Sequence, residues 1–128
     1  MRTKSVLFID DDEDDKLVFG HALSAIDKDI LYLTASDGHE ALKILQNELV
    51  ILPDVIFMDL NMPKMDGFTC LDKIKKDEEL KEIPVLILST STNPKDMEKA
   101  RTLGAKKFIT KPSTYSGLIE TLKTSFTL

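Results

Sequence analysis

Short apolar runs alternate along this chain with longer segments whose apolar residues recur at helical spacing. The short runs are Val6–Ile9, Ile30–Ala35, Val55–Met58, Val85–Leu88 and Lys107–Thr110. The first, third and fourth are continuously apolar, as expected of strands covered on both faces. The segments between them read as helices. The first carries Val18, Phe19, Ala22, Leu23 and Ile26 on one stripe. The second opens after Ser36-Asp37-Gly38 and carries Ala41, Leu42 and Leu45. The third follows Asp66-Gly67, with Phe68, Leu71 and Ile74 facing inward. The fourth has Asn93 as its N-cap, Pro94 at its first position and Gly104 as its stop. The fifth carries Leu118, Ile119, Leu122 and Phe126. Repeated βα units of this kind predict a single doubly wound α/β domain on a five-stranded parallel sheet.

In open sheets of this class, ligands gather beyond the carboxyl ends of the strands. Those ends are where the charged residues of this chain sit. Val6–Ile9 runs into Asp10-Asp11, Val55–Met58 into Asp59, and Lys107–Thr110 into Lys111-Pro112. The residues after Asp59, Leu60-Asn61-Met62-Pro63-Lys64-Met65-Asp66-Gly67, are turn formers. If Asp10, Asp11 and Asp59 converge, their charges repel, by roughly 4 kcal/mol for a pair about 4 Å apart at an effective dielectric of about 20. Such a cluster holds a proton or binds a cation. Carboxylate oxygens suit Mg²⁺, which keeps several waters and bridges to phosphate. An ammonium at Lys111 then pairs with Asp59 or with a phosphoryl oxygen. The pattern points to a metal-assisted phosphoryl site.

Other residues of the same segments have plainer expectations. Asp12, Glu13, Asp14 and Asp15 read as a solvated helix start, where acids favour the helix dipole. Ser89-Thr90-Ser91-Thr92 is a hydroxyl-rich turn after the fourth strand, and Ser89 either caps locally or binds a phosphoryl oxygen. His21 and His39 lack metal-like spacing and are expected exposed on helices; Cys70 and the five methionines suggest packing.

Composition narrows the partners. The chain has 128 residues, enough for one core. A net charge of −5 argues against a direct nucleic-acid partner, which needs a basic face. One cysteine makes no internal disulfide and fits a reduced, cytoplasmic protein. No apolar run is long enough for a membrane span.

Taken in order, Asp10-Asp11, Asp59 with Asn61-Met62-Pro63 and Asp66-Gly67, Ser89, and Lys111-Pro112 resemble the receiver domain of two-component response regulators, the chemotaxis-regulator-like family. The resemblance runs from Val6 to the last helix. It implies a flavodoxin-like sheet of order 2-1-3-4-5. It implies that Asp59 is a phosphoacceptor, served by a histidine kinase or histidine phosphotransfer protein. Mg²⁺ would be bound by Asp11, Asp59 and the main-chain carbonyl of Asn61, with Asp10 acting through metal-bound water. Lys111 would pair with the phosphoryl group, and Ser89 and Phe108 would form the switch. The surface of the fourth helix, fifth strand and fifth helix would carry the signal to a downstream protein. The chain departs from the common family pattern in carrying Ser89 in place of Thr, a Phe108 without a phenolic hydroxyl, and Ser113 where an aromatic is frequent.

The expectation is a stand-alone receiver over residues 1–128, monomeric or weakly dimeric, that promotes only its own phosphorylation and dephosphorylation. An aspartyl-phosphate hydrolase would carry an acid at position 61, where this chain has Asn61. A flavin-binding domain would need a glycine- and hydroxyl-rich loop in place of Asp10 to Asp15. A phosphorylation-independent binding module would have no use for the full acid set.

Overall fold

The computed structural model describes residues 3–48, 51–62 and 64–126, so Pro63 of the turn after Asp59 lies outside the described residues. Five parallel strands form one sheet: β1 (Ser5–Ile9), β2 (Leu31–Ala35), β3 (Val55–Met58), β4 (Val85–Ser89) and β5 (Lys107–Thr110). Their order is β2-β1-β3-β4-β5. Strands β1, β3 and β4 are almost wholly buried, and this accounts for their continuous apolar sequence. In register, Leu7 stands beside Leu33 on one side and Ile56 on the other, and Ile87 lies between Met58 and Phe108.

Five helices cover the sheet: α1 (Glu13–Ile26), α2 (Gly38–Lys43), α3 (Gly67–Lys76), α4 (Pro94–Thr102) and α5 (Tyr115–Ser125). A π-type turn, Ile44–Glu48, prolongs α2. Successive strand residues point to opposite faces, so the sheet builds two cores. Leu7, Ile9, Ile56, Met58, Val85 and Ile87 pack under α2, α3 and α4 through Ala41, Leu45, Leu71, Ile74 and Ala100. Val6, Phe8, Val55, Phe57, Leu86 and Leu88 pack under α1 and α5 through Phe19, Ala22, Leu23 and Leu122. Here Phe19 stacks on Phe8 with ring centroids 4.3 Å apart and meets Phe57 edge-on at 5.2 Å.

Every helix start carries a side-chain cap, from Asp12, Asp37, Asp66, Asn93 and Thr114. The expected cap at Asn93 and the expected stop at Gly104, which adopts φ 107°, are both present. The expected α1 stripe needs correction. Phe19, Ala22 and Leu23 are buried, but Val18 is 41% exposed, because it lies on the flank of the face that meets the sheet. Conversely Lys16 is buried, its ammonium donating to Ser36 Oγ at 2.7 Å and Glu13 Oε1 at 2.9 Å. Phe68 is half-buried, with the Lys99 ammonium 4.4 Å above its ring. His21 and His39 are exposed, and Cys70 is buried as a free thiol.

Candidate phosphoryl and metal site

The hydrogen-bond ladder of the sheet continues one residue past each strand and fixes the backbone of the charged residues. Asp10 N–H donates to Ala35 C=O at 3.0 Å, Asp59 N–H to Ile9 C=O at 2.9 Å, and Lys111 N–H to Ser89 C=O at 2.8 Å. The side chains therefore leave the sheet at one end, from positions the core holds rigid. Asp10, Asp11 and Asp59 converge, each offering a carboxylate oxygen within 4.8 Å of the others. Asp10 and Asp59 are buried, at 0% and 6% exposure, while Asp11 is open to solvent. Three hard oxygen donors, two fixed in the wall and one at the mouth, fit a divalent cation such as Mg²⁺ that keeps part of its water shell.

Lys111 reaches into this cluster from β5. Its Nζ donates to Asp15 Oδ2 at 2.8 Å and Asp10 Oδ2 at 3.1 Å, and lies 3.9 Å from Asp59 Oδ1. Asp15 was expected at a solvated helix start, and that expectation is corrected here. As the third helical residue after the Asp12 cap, its N–H is held by Asp12 Oδ1 at 3.0 Å, and its carboxylate turns back over the sheet end to Lys111. No local pattern could reveal this pairing, because the partners are 96 residues apart. Asp10 is further tied by the Asp12 N–H, which donates to Asp10 Oδ1 at 2.9 Å.

Burial and charge set the acidities. Burial raises the Asp59 carboxyl to about 6; nearby Lys111 opposes the rise, Asp10 adds to it, and the Leu60 and Asn61 amides oppose it. Burial also raises Asp10, against the pull of the Asp12 amide and Lys111. Burial alone would lower Lys111, but Asp15, Asp10 and Asp59 outweigh it, and the ammonium is held more firmly than usual. At neutral pH the site thus presents an ionised Asp59 beside a fixed cation.

The loop that follows Asp59 is shaped by close approach. An added Cβ on Gly67 would lie 2.5 Å from the Asp59 carbonyl oxygen, so only glycine admits this packing of α3 against the site. Lys64 takes a left-handed conformation, φ 66°, at the turn. Asn61 is exposed on the same loop. Ser89 closes β4 fully buried, its Oγ accepting the Ser91 N–H at 3.2 Å. Phe108 is half-buried and lines a groove of about 260 Å³ with Pro94, Met97 and Arg101 of α4. Lys111-Pro112 is a trans bond, since there is no cis peptide among the described residues.

This geometry has counterparts. Residues 6–123 match the family model of the response regulator receiver domain. The phosphorylated cyanobacterial phytochrome response regulator RcpA superimposes with a TM-score of 0.88 at 35% identity, over 96% of this chain and 91% of that one. The Mn²⁺-bound response regulator Rcp1 does so with a TM-score of 0.84 at 30% identity, over 94% and 90%. The polar-differentiation response regulator DivK of Brucella ovis is 31% identical over 121 residues, 94% of each chain. Of other curated relatives at 31–35% identity, this chain spans only 13–43% of the length. A match across nearly the whole sheet, from the first buried strand to the last helix, leaves one assignment: the chain belongs to the response regulator receiver family.

Proposed function

We propose that this chain is a response regulator receiver that accepts a phosphoryl group on Asp59. The observation that carries the reading is the buried Asp59 carboxylate, beside Asp10 and Asp11 and 3.9 Å from the Lys111 ammonium. Asp59 Oδ attacks the phosphorus of a phosphohistidine as the P–N bond breaks, and the imidazole leaves neutral when its second nitrogen carries a proton. Little covalent chemistry falls to the protein, and its task is positioning and charge stabilisation. Asp11, Asp59 and the main-chain carbonyl of Asn61 would hold Mg²⁺, with Asp10 acting through its water, and the bound ion would offset charge on the transferring group. RcpA, phosphorylated, and Rcp1, carrying Mn²⁺, support both parts. Lys111 contributes its positive charge from 3.9 Å away.

Ser89 at the end of β4 and Phe108 on β5 then act as the switch. The Ser89 hydroxyl follows the phosphoryl oxygens, drawing the β4–α4 loop with it, and Phe108 responds by steric repacking alone. The changed surface of α4, β5 and α5 docks a downstream protein, or the phosphoryl group passes on to another histidine. The histidine donor is a kinase or phosphotransfer protein, and the chain's own contribution to catalysis ends with its own phosphorylation and dephosphorylation. The free, buried Cys70 supports a reducing, cytoplasmic setting.

The test is intact-protein mass after incubation with acetyl phosphate, with and without Mg²⁺. A Mg²⁺-dependent phosphoryl adduct on wild type, absent from Asp59→Asn, is expected. An adduct retained by Asp59→Asn would move the acceptor elsewhere. No adduct on wild type with either acetyl phosphate or a phosphorylated histidine donor would make a phosphorylation-independent binding module the better reading.

A further inference from the structure

We propose that Asp15 is a positioning residue that holds Lys111 back from Asp59, so that its release limits phosphoryl uptake. The inference rests on the phosphoacceptor reading above and concerns how that site is restrained. Three carboxylates share the Lys111 ammonium, and the tightest contact is with Asp15, at 2.8 Å. Asp10 follows at 3.1 Å, and Asp59, where positive charge is needed, is farthest at 3.9 Å.

The three contacts differ in how easily they break. The Asp10 side chain is 0% exposed, so its carboxylate is poorly rehydrated when Lys111 leaves. The Asp15 side chain is 44% exposed, so its carboxylate can be rehydrated when Lys111 leaves. The backbone of Asp15 stays fixed by its place in the first turn of α1, capped by Asp12. A cavity of about 190 Å³ lies beside the pair, floored by Phe8, Phe19, Leu88 and Leu118. The Lys111 stem therefore has open space on one side into which it can shift. What restrains the ammonium is charge, and the exposed part of that restraint is Asp15.

The reaction used to test this is transfer from acetyl phosphate. Asp59 Oδ bonds to phosphorus, the P–O bond to acetate breaks, acetate leaves with the electron pair, and no proton moves. As negative charge gathers over Asp59, Lys111 must close on it and give up Asp15. In Asp15→Asn the ammonium keeps its charge and loses its nearest competitor, so the rate constant at saturating Mg²⁺ should rise about fivefold. Asp15→Glu retains a carboxylate within reach and should react at the wild-type rate. Asp14→Asn removes the same unit charge from the same exposed turn at a residue that is not among the described partners of Lys111, and it too should react at the wild-type rate.

Circular dichroism and thermal melting establish that each variant is folded. An Asp15→Asn rate equal to or below wild type overturns the proposal. An equal rise in Asp14→Asn and Asp15→Asn also overturns it, since loss of overall negative charge would then explain both. If wild type takes no label at all, the phosphoacceptor reading is what fails, and a Mg²⁺ titration decides the restraint by itself. A Lys111 freed from Asp15 moves over Asp10 and Asp59 and competes with the ion. Affinity should then fall several-fold in Asp15→Asn and stay unchanged in Asp14→Asn. Equal affinity in Asp15→Asn and wild type would overturn the restraint on that ground.

Discussion

Asp59 carries negative charge where burial opposes it. Its carboxyl titrates at about 6 in the folded chain against an ordinary value of 3.8. An acid whose pKa rises on folding binds its proton more tightly in the native state, so its ionisation weakens the fold. The penalty is full above pH 6 and fades as pH falls toward the unfolded value. Asp59→Asn should therefore stabilise the metal-free protein by about 1–2 kcal/mol at neutral pH, and by much less near pH 4. Urea denaturation in a chelator at the two pH values checks this, and a gain that does not change with pH would refute the titration of Asp59 as its cause. At this scale the sequence was readable wherever a residue directly followed a strand, and Asp10, Asp11, Asp59 and Lys111 all lie where their strand ends placed them. It was not readable where a long side chain folds back on a distant element. Asp15 meets Lys111 across 96 residues and Lys16 meets Ser36 across 20, and no local periodicity encodes either pairing.

The helices show how local signals fix boundaries and how packing then adjusts them. Asn93-Pro94 starts α4 and Gly104 ends it because a capping oxygen, a preset φ and a left-handed residue act locally. The π-type turn at Ile44–Glu48 carries no such signal, since i→i+5 bonding accommodates packing and not propensity. Gly67 is the element-scale constraint nearest the chemistry. Its Cα lies so close to the Asp59 carbonyl and Leu60 Cα that a methyl group would meet backbone, which cannot rotate away. Gly67→Ala should cost about 2–3 kcal/mol and displace the Asp59 main chain. The expected result is a lower urea midpoint together with loss of the acetyl phosphate adduct. By contrast, Gly38 faces the flexible Met65 side chain, which can move aside.

In the whole molecule, the α/β class and five βα units were legible because both faces of the central strands are covered and the sequence records it. Strand order was not, since apolar spacing is the same whichever neighbour a strand pairs with; the order 2-1-3-4-5 came from the family resemblance and is the one observed. A ligand that binds only the assembled site stabilises the entire fold by mass action, about 2.7 kcal/mol at a hundredfold excess over its Kd. Mg²⁺ should thus raise the melting temperature by several degrees, chelator should reverse it, and Asp11→Ala should flatten the response in a thermal shift titration. The ladder bonds that clamp Asp10, Asp59 and Lys111 each come from a neighbouring strand, and Asp10 and Lys111 are 101 residues apart. No fragment of the sheet therefore holds the whole constellation of Asp10, Asp59 and Lys111. A newly made chain that lacks β5 lacks its lysine, and one with an unpaired β3 has no fixed Asp59. If Asp59 is the acceptor proposed above, competence to be switched on would arrive only with the last strand, a damaged or half-finished molecule would stay silent, and the phosphorylated pool would count native molecules alone.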